Sequence, residues 1–228
     1  LIPLMLIATS IVFFLVRFVP GDPVRIMVGG QRISEQNVES IRSQYRLDKP
    51  LLVQYGYWLD DLAHGSLGDS FRQRAPVRDL VLERLPITLK LATYAFLLSM
   101  IISIPLGILS ALRRNSWVDV GASFFSLIGA SSPVFFTSIL LILIFGYKLR
   151  WMPALGQGSG GFDTFKHLTL PAIALGLSLA AITTRITRNG MIEALSQDYM
   201  VTARAKGLSP RSIVFKHALR NALIPIVT

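Results

Sequence analysis

Not one of the 228 residues is a cysteine, which excludes disulfides, thiolate metal ligands and thiol nucleophiles and leaves the redox compartment unread. Charge is also scarce: 16% of residues are charged, where a soluble domain carries about 25%. The shortage is local, because charge-free runs alternate with charge-rich stretches, and that block pattern marks a chain that crosses a membrane. No G-x-x-x-x-G-K-[ST] run occurs, so the chain has no phosphate-cradling loop of that kind. His64, His167 and His217 fall in three segments without ligand spacing, which argues against a metal site. No Ser-His-Asp arrangement or paired carboxylate sits within an apolar run, as a membrane-embedded enzyme would need. Gly156-Gln-Gly158-Ser-Gly160-Gly161 formally fits G-x-G-x-x-G, but it follows Met152-Pro153 with no strand or βαβ unit around it and reads as a flexible loop.

What is present is apolar: 52% of residues are hydrophobic and the mean hydropathy is +0.53. Four spans and the stub of a fifth can be read, at about residues 1–19, 89–112, 120–147 and 168–184, with the stub beginning near Leu223. The fourth is about 25 Å long as a helix and barely reaches across a bilayer. Backbone groups in hydrocarbon must be satisfied within their own segment, so these runs are expected to be helices, and barrel-like alternation is absent. The chain opens inside one apolar run and stops as another starts, so both ends read as truncated. No small-residue cleavage site follows the first run, which makes it a span and not a signal peptide.

Ser99, Ser103, Gly107 and Ala111 place a small residue at every fourth position of span 2, and Ala172, Gly176 and Ala180 do the same in span 4. Such stripes let membrane helices approach closely; lining a substrate path is the alternative. Pro133 lies within span 3 and predicts a kink there, static or hinged.

The net charge of +10 does not point to nucleic acid. Between Pro20 and Pro86 nine basic residues balance nine acidic ones, and no basic patch interleaved with stacking aromatics appears. The excess sits at span ends, at Arg113 and Arg114 and again from Arg185 to Arg220, where seven basic residues face only Glu193 and Asp198. Basic short loops lie in the cytoplasm, so the region after span 4 is expected inside, with segment 20–87 and the loop between spans 3 and 4 outside. Within segment 20–87, Ser34 is a candidate N-cap for a helix through Val38, Ile41 and Tyr45. Pro50 opens a second, with Leu51, Leu52, Tyr55, Trp58, Leu59 and Leu62 on one face, and a third runs through Val77, Leu80 and Val81 toward Pro86.

The stretch from Glu193 to Arg220 is the most informative. Residues 193–206 read as helix, Gly207 supplies a terminator able to adopt positive φ, and Ser209-Pro210 caps and opens a second helix. A helix–turn–helix elbow between two spans has no evident role in lipid, and its tip suits docking into a cleft on a cytoplasmic protein.

The run Asp198-Tyr-Met-Val-Thr-Ala-Arg-Ala-Lys-Gly-Leu-Ser-Pro210, continuing through Lys216-His-Ala-Leu-Arg-Asn-Ala-Leu-Ile-Pro225, resembles the cytoplasmic coupling loop of binding-protein-dependent ABC permeases. More narrowly it is similar to the dipeptide, oligopeptide, nickel and glutathione branch, in the type with a large outer loop after span 1. Pro20-Gly21-Asp22-Pro23, Arg84-Leu85-Pro86-Ile-Thr-Leu89, Trp151-Met-Pro153 and His167-Leu-Thr-Leu-Pro171 agree. Against the wider superfamily pattern, Gly207, Ala203 and Leu219 match, whereas Val201 stands at the leading Glu position and Arg220 at the Pro position, as is usual in the peptide branch.

The resemblance implies an all-α polytopic membrane protein, the transmembrane domain of a type I ABC importer. Its parts would be a first transmembrane helix at 1–19, an extracytoplasmic helical segment at 20–87, and a transmembrane core at 88–228 with a coupling loop at about 188–222. It implies a permease in a prokaryotic inner membrane, contacting lipid, a second homologous permease subunit, two ABC ATPase subunits and an extracytoplasmic binding protein that delivers di- or oligopeptides, with nickel or glutathione as alternative cargo. ATP and magnesium would be bound by the ATPase subunits and not by this chain. The contact set implied is Asp198, Tyr199, Ala203, Arg204, Ala205, Lys206, Gly207 and Leu208. Gly207 would fix the elbow, Ala203 and Ala205 would permit close packing, and Arg204 and Lys206 would meet the partner or simply be solvated. An ion-coupled secondary transporter is the rival, and it would place ionisable residues inside spans, where 2, 3 and 4 have none between their ends.

Overall fold

The computed structural model describes residues 2–18, 24, 34–70, 73 and 75–224. The Pro20–Pro23 motif, Pro225 and most of the fifth span's stub lie outside them. Among the described residues the elements are helical apart from one antiparallel pair of two-residue strands, β1 (Asp69–Ser70) and β2 (Ala75–Pro76), registered Asp69 to Pro76 and Ser70 to Ala75. The chain divides into two compact units, Leu1–Leu85 and Pro86–Thr228.

In the first unit, α1 (Ile2–Phe18) carries the first apolar run. Helix α2 (Glu35–Gln44) starts where the sequence predicts, with the Ser34 hydroxyl accepting from the Asn37 amide at 3.4 Å and satisfying one of the orphan donors of a helix start. Helix α3 (Leu51–Ala63) begins directly after Pro50. Its amphipathic face is partly covered by α1: the Phe13 ring lies 5.3 Å from both Tyr55 and Trp58, and Tyr55 stacks on Trp58. The Ser10 and Tyr55 hydroxyls share a hydrogen bond of 2.6 Å, and Arg17 Nε donates to Gln54 at 3.0 Å. Aromatic area buried on one side, with a polar handle finding a partner on the other, suits these residues.

Segment 77–86 does not form a separate outer helix as expected. It runs unbroken into span 2 as α4 (Val77–Leu112), 36 residues with Pro86 and Pro105 inside it. A proline deletes one backbone bond without ending a helix whose turns on either side persist, and membrane helices tolerate this.

In the second unit, the third apolar run is not one tilted rod. Helix α5 (Trp117–Ser131) stops, Ser132 is extended at ψ 124°, and α6 (Val134–Leu141) leaves in a new direction, passing into a wide π turn over Ile142–Lys148. The two halves are bent by 101°, so the kink predicted at Pro133 is a corner. Proline disfavours helical geometry in the residue before it, which is why Ser132 is the extended one. Span 4 is longer than the apolar run alone, extending over α7 (Gly161–Ser196). Helices α4 and α7 are long and apolar enough to cross a membrane, the bent pair α5–α6 is a third candidate, and α1 is apolar but shorter.

Helix α7 is the spine of this unit. The two small-residue stripes lie at its contact with α4: a Cβ added to Gly107 would come 2.6 Å from Thr187 Cβ, and one on Gly176 would come 3.0 Å from the Ala95 carbonyl. On α5, a Cβ added to Gly129 would come 2.5 Å from Ala181 Cβ. Backbones this near each other supply the van der Waals contact that replaces a hydrophobic drive in lipid.

Candidate functional site

Residues 193–206 are not one helix. Helix α7 ends at Ser196, Gln197 is extended (φ −73°, ψ 149°), and α8 (Asp198–Ala205) begins with the Asp198 carboxylate in its first turn, where negative charge suits the helix dipole. The end of α8 is a Schellman cap: the Leu208 amide donates to the Ala203 carbonyl at 3.3 Å and the Gly207 amide to Arg204 at 2.9 Å. That cap requires a left-handed residue, and Gly207 supplies it at φ +73°. Ser209 then accepts from the Ser212 amide at 3.4 Å with Pro210 in the first turn. The last helical segment, α9, runs Pro210–Ser212, through a π segment Ile213–Ala218, to Leu219–Ala222.

All eight predicted contact residues fall on this one elbow, and they divide by exposure. Arg204, Ala205, Lys206, Gly207 and Leu208 form the exposed tip, and Asp198 and Tyr199 are exposed at the opposite end of α8. Ala203 points inward instead, 8% exposed, with Met200 fully buried beside it. The two alanines therefore differ: Ala203 packs on its own chain, and only Ala205 is open to a partner. Asn221 of α9 donates to the Tyr199 hydroxyl at 2.6 Å, tying the two arms together.

Sequence reading missed the seat beneath the elbow. Met200 and Ala203 of α8 and Ile213, Val214, Ala218 and Ala222 of α9 join Met191 and Ala194 of α7 and Ile108 and Ala111 of α4 in one buried cluster. Gly190 lets α9 close on α7, since a Cβ there would lie 3.1 Å from the Ala222 carbonyl. The periodic spacing of Met191, Ala194 and of Met200, Ala203 carries this signal, although within a charge-rich stretch it is faint.

It missed a polar junction as well. Asp119, in the first turn of α5, is 5% exposed. Its Oδ1 accepts from the Ser110 hydroxyl of α4 at 2.6 Å and from Arg188 Nε of α7, and its Oδ2 accepts from Arg188 Nη2 at 2.7 Å and from the Asn115 amide at 3.0 Å. Arg188 thus meets this carboxylate with a two-pronged fork, the strong form of the pair. Among the described residues no His/Cys/Asp/Glu cluster could hold a metal. The arrangement suits mechanical transmission: an exposed tip, a rigid cap and an apolar seat shared with two long helices.

Comparison with known proteins follows the same lines. The profile described as "Binding-protein-dependent transport system inner membrane component" matches residues 103–228, and that of the corresponding N-terminal region matches residues 1–92. Over its whole length the chain is 40% identical to an oligopeptide transport system permease protein of Bacillus subtilis, covering 73% of that protein. It is 39% identical to a di/tripeptide transport system permease protein of Pseudomonas aeruginosa, covering 75%, and 39% identical to a glutathione transport system permease protein of Escherichia coli, covering 72%.

Proposed function

The chain belongs to the family of binding-protein-dependent transport system inner membrane components, permeases and not enzymes, and from that premise we propose that its elbow is where separate ATPase subunits drive it. The observation that carries this is the seat. Met200 and Ala203 of the elbow share one buried cluster with the ends of α4 and α7, two helices long enough to span a membrane. A close-packed interior transmits displacement instead of absorbing it, so pushing the tip must shift those ends.

In this reading ATP and magnesium sit on two ABC ATPase subunits. Closure of their dimer draws in the tips Arg204 to Leu208 of this chain and of a second, homologous permease, and the paired spans exchange inward-facing for outward-facing states. Asp198 and Tyr199 brace the elbow. Ala203 belongs to its seat, while Arg204, Ala205, Lys206 and Leu208 meet the partner. Residues 20–87 lie outside a prokaryotic inner membrane and help receive the binding protein, residues 1–19 form the first span, and residues 88–228 form the core. The favoured cargo is a di- or oligopeptide, in keeping with the names of the peptide permeases it resembles, with glutathione or nickel as the alternative.

The test is reconstitution with candidate ATPase subunits and binding protein, followed by cross-linking from a cysteine placed at Lys206 or Leu208. Cargo uptake that requires ATP and a cross-link to the ATPase are expected. Uptake driven by an ion gradient alone, or a tip that touches no nucleotide hydrolase, would overturn the assignment.

A further inference from the structure

The geometry points to Asp119 and Arg188 as a positioning pair, a clamp that makes α5 follow α4 and α7 when the elbow is displaced. This rests on the coupling reading of the elbow and adds a third helix to what the elbow moves.

Four donors from three places converge on one carboxylate: the Ser110 hydroxyl on α4, the Asn115 amide in the turn before α5, and two nitrogens of Arg188 on α7. Asp119 itself is on α5, so a single side chain joins three helices. The clamp and the seat also share their supports. Arg188 precedes the seat residue Met191 by three positions, about 4.5 Å along α7. Ser110 lies between Ile108 and Ala111, the seat residues of α4.

Helix α5 contributes nothing to the seat cluster. Near the clamp it follows α4 through a short turn, with Asn115 at φ +63° and the Ser116 amide donating to Arg113. A buried ion pair is weak evidence for added stability, and its best attested use is to hold one arrangement among several. The fork supplies this, because two parallel bonds fix orientation as well as distance.

In the assembled transporter, with its partner subunits made cysteine-free, spin labels at Trp117→Cys on α5 and Glu193→Cys on α7 report whether the helices move together; both sites are exposed and this chain has no cysteine of its own. With the clamp intact, one narrow distance is expected, the same in nucleotide-free and vanadate-trapped states. In Arg188→Lys, which keeps the charge but loses the fork, and in Asp119→Asn, the distance should differ between the two states by about 2 Å or more, the scale of helix shifts in switching proteins. A lowered ratio of uptake to ATP hydrolysed should accompany this, which a merely destabilised permease would not show. The proposal is overturned if the intact clamp already gives two distances, or if the broken clamp gives one unchanged distance. A label at Lys206→Cys that does not respond to nucleotide trapping would instead bring down the coupling reading itself.

Discussion

The Asn221 amide donates to the Tyr199 hydroxyl at 2.6 Å, a bond between residues 22 apart in sequence that links the start of α8 to the end of α9. Because Tyr199 is 41% exposed, the bond competes with water, and its net worth is about 1 kcal/mol. Tyr199→Phe should therefore leave insertion unchanged and raise local opening of the elbow about fivefold. Tryptic cleavage after Arg204 and Lys206 in membranes measures this. An unchanged cleavage rate would mean that the bond does not hold the arms together.

Gly207 has open space where a Cβ would project, so its constraint is conformational, set by φ +73°. Left-handed geometry costs an ordinary residue about 1–2 kcal/mol, asparagine less, and a β-branched residue the most. A graded series follows: Gly207→Asn near wild type, Gly207→Ala intermediate, and Gly207→Val uncoupled, with uptake and ATPase stimulation both lost while insertion persists. Retention of both activities in Gly207→Val would show that the cap is dispensable.

Two glycines of α5 make an internal control. A Cβ at Gly121 would meet nothing within 4 Å, whereas one at Gly129 would lie 2.5 Å from Ala181 Cβ. Gly121→Ala should be neutral or stabilising by up to about 1 kcal/mol, through helix propensity. Gly129→Ala should cost about 1–3 kcal/mol as α5 is pushed off α7. Thermal unfolding in detergent decides, and equal melting temperatures would contradict the close packing.

Sidedness is open to a simple assay in this cysteine-free chain. Ser159→Cys should react with a membrane-impermeant maleimide only from outside and Ser209→Cys only from inside. Labelling of both from one face would sink the topology.

The parts of the fold that were legible in sequence are those with local causes. Ser34 caps α2, Pro50 precedes α3, and Gly207 with Ser209-Pro210 makes the elbow, each through bonds within a few residues. The parts that were not legible have distant causes. Nothing local to Gln197 ends a helix; the break there lets Met200 and Ala203 reach a cluster that includes residues of α4. Pro86 looked like a boundary, yet helical turns on both sides outweigh its missing bond. Asp119 carries no local signal of its role, because its partner Arg188 lies 69 residues away in the chain.

The corner at Ser132–Pro133 carries a consequence for the surroundings of the chain. At this 101° turn the Ile128 carbonyl still accepts from the Ser132 amide, but the helical carbonyls after it have no successors to bond, and Pro133 has no amide to offer. Oil cannot solvate such groups. One flank is already shielded where Gly129 lies against Ala181. Where this corner sits at the depth of the hydrocarbon, its opposite flank must meet another polypeptide or a wet passage.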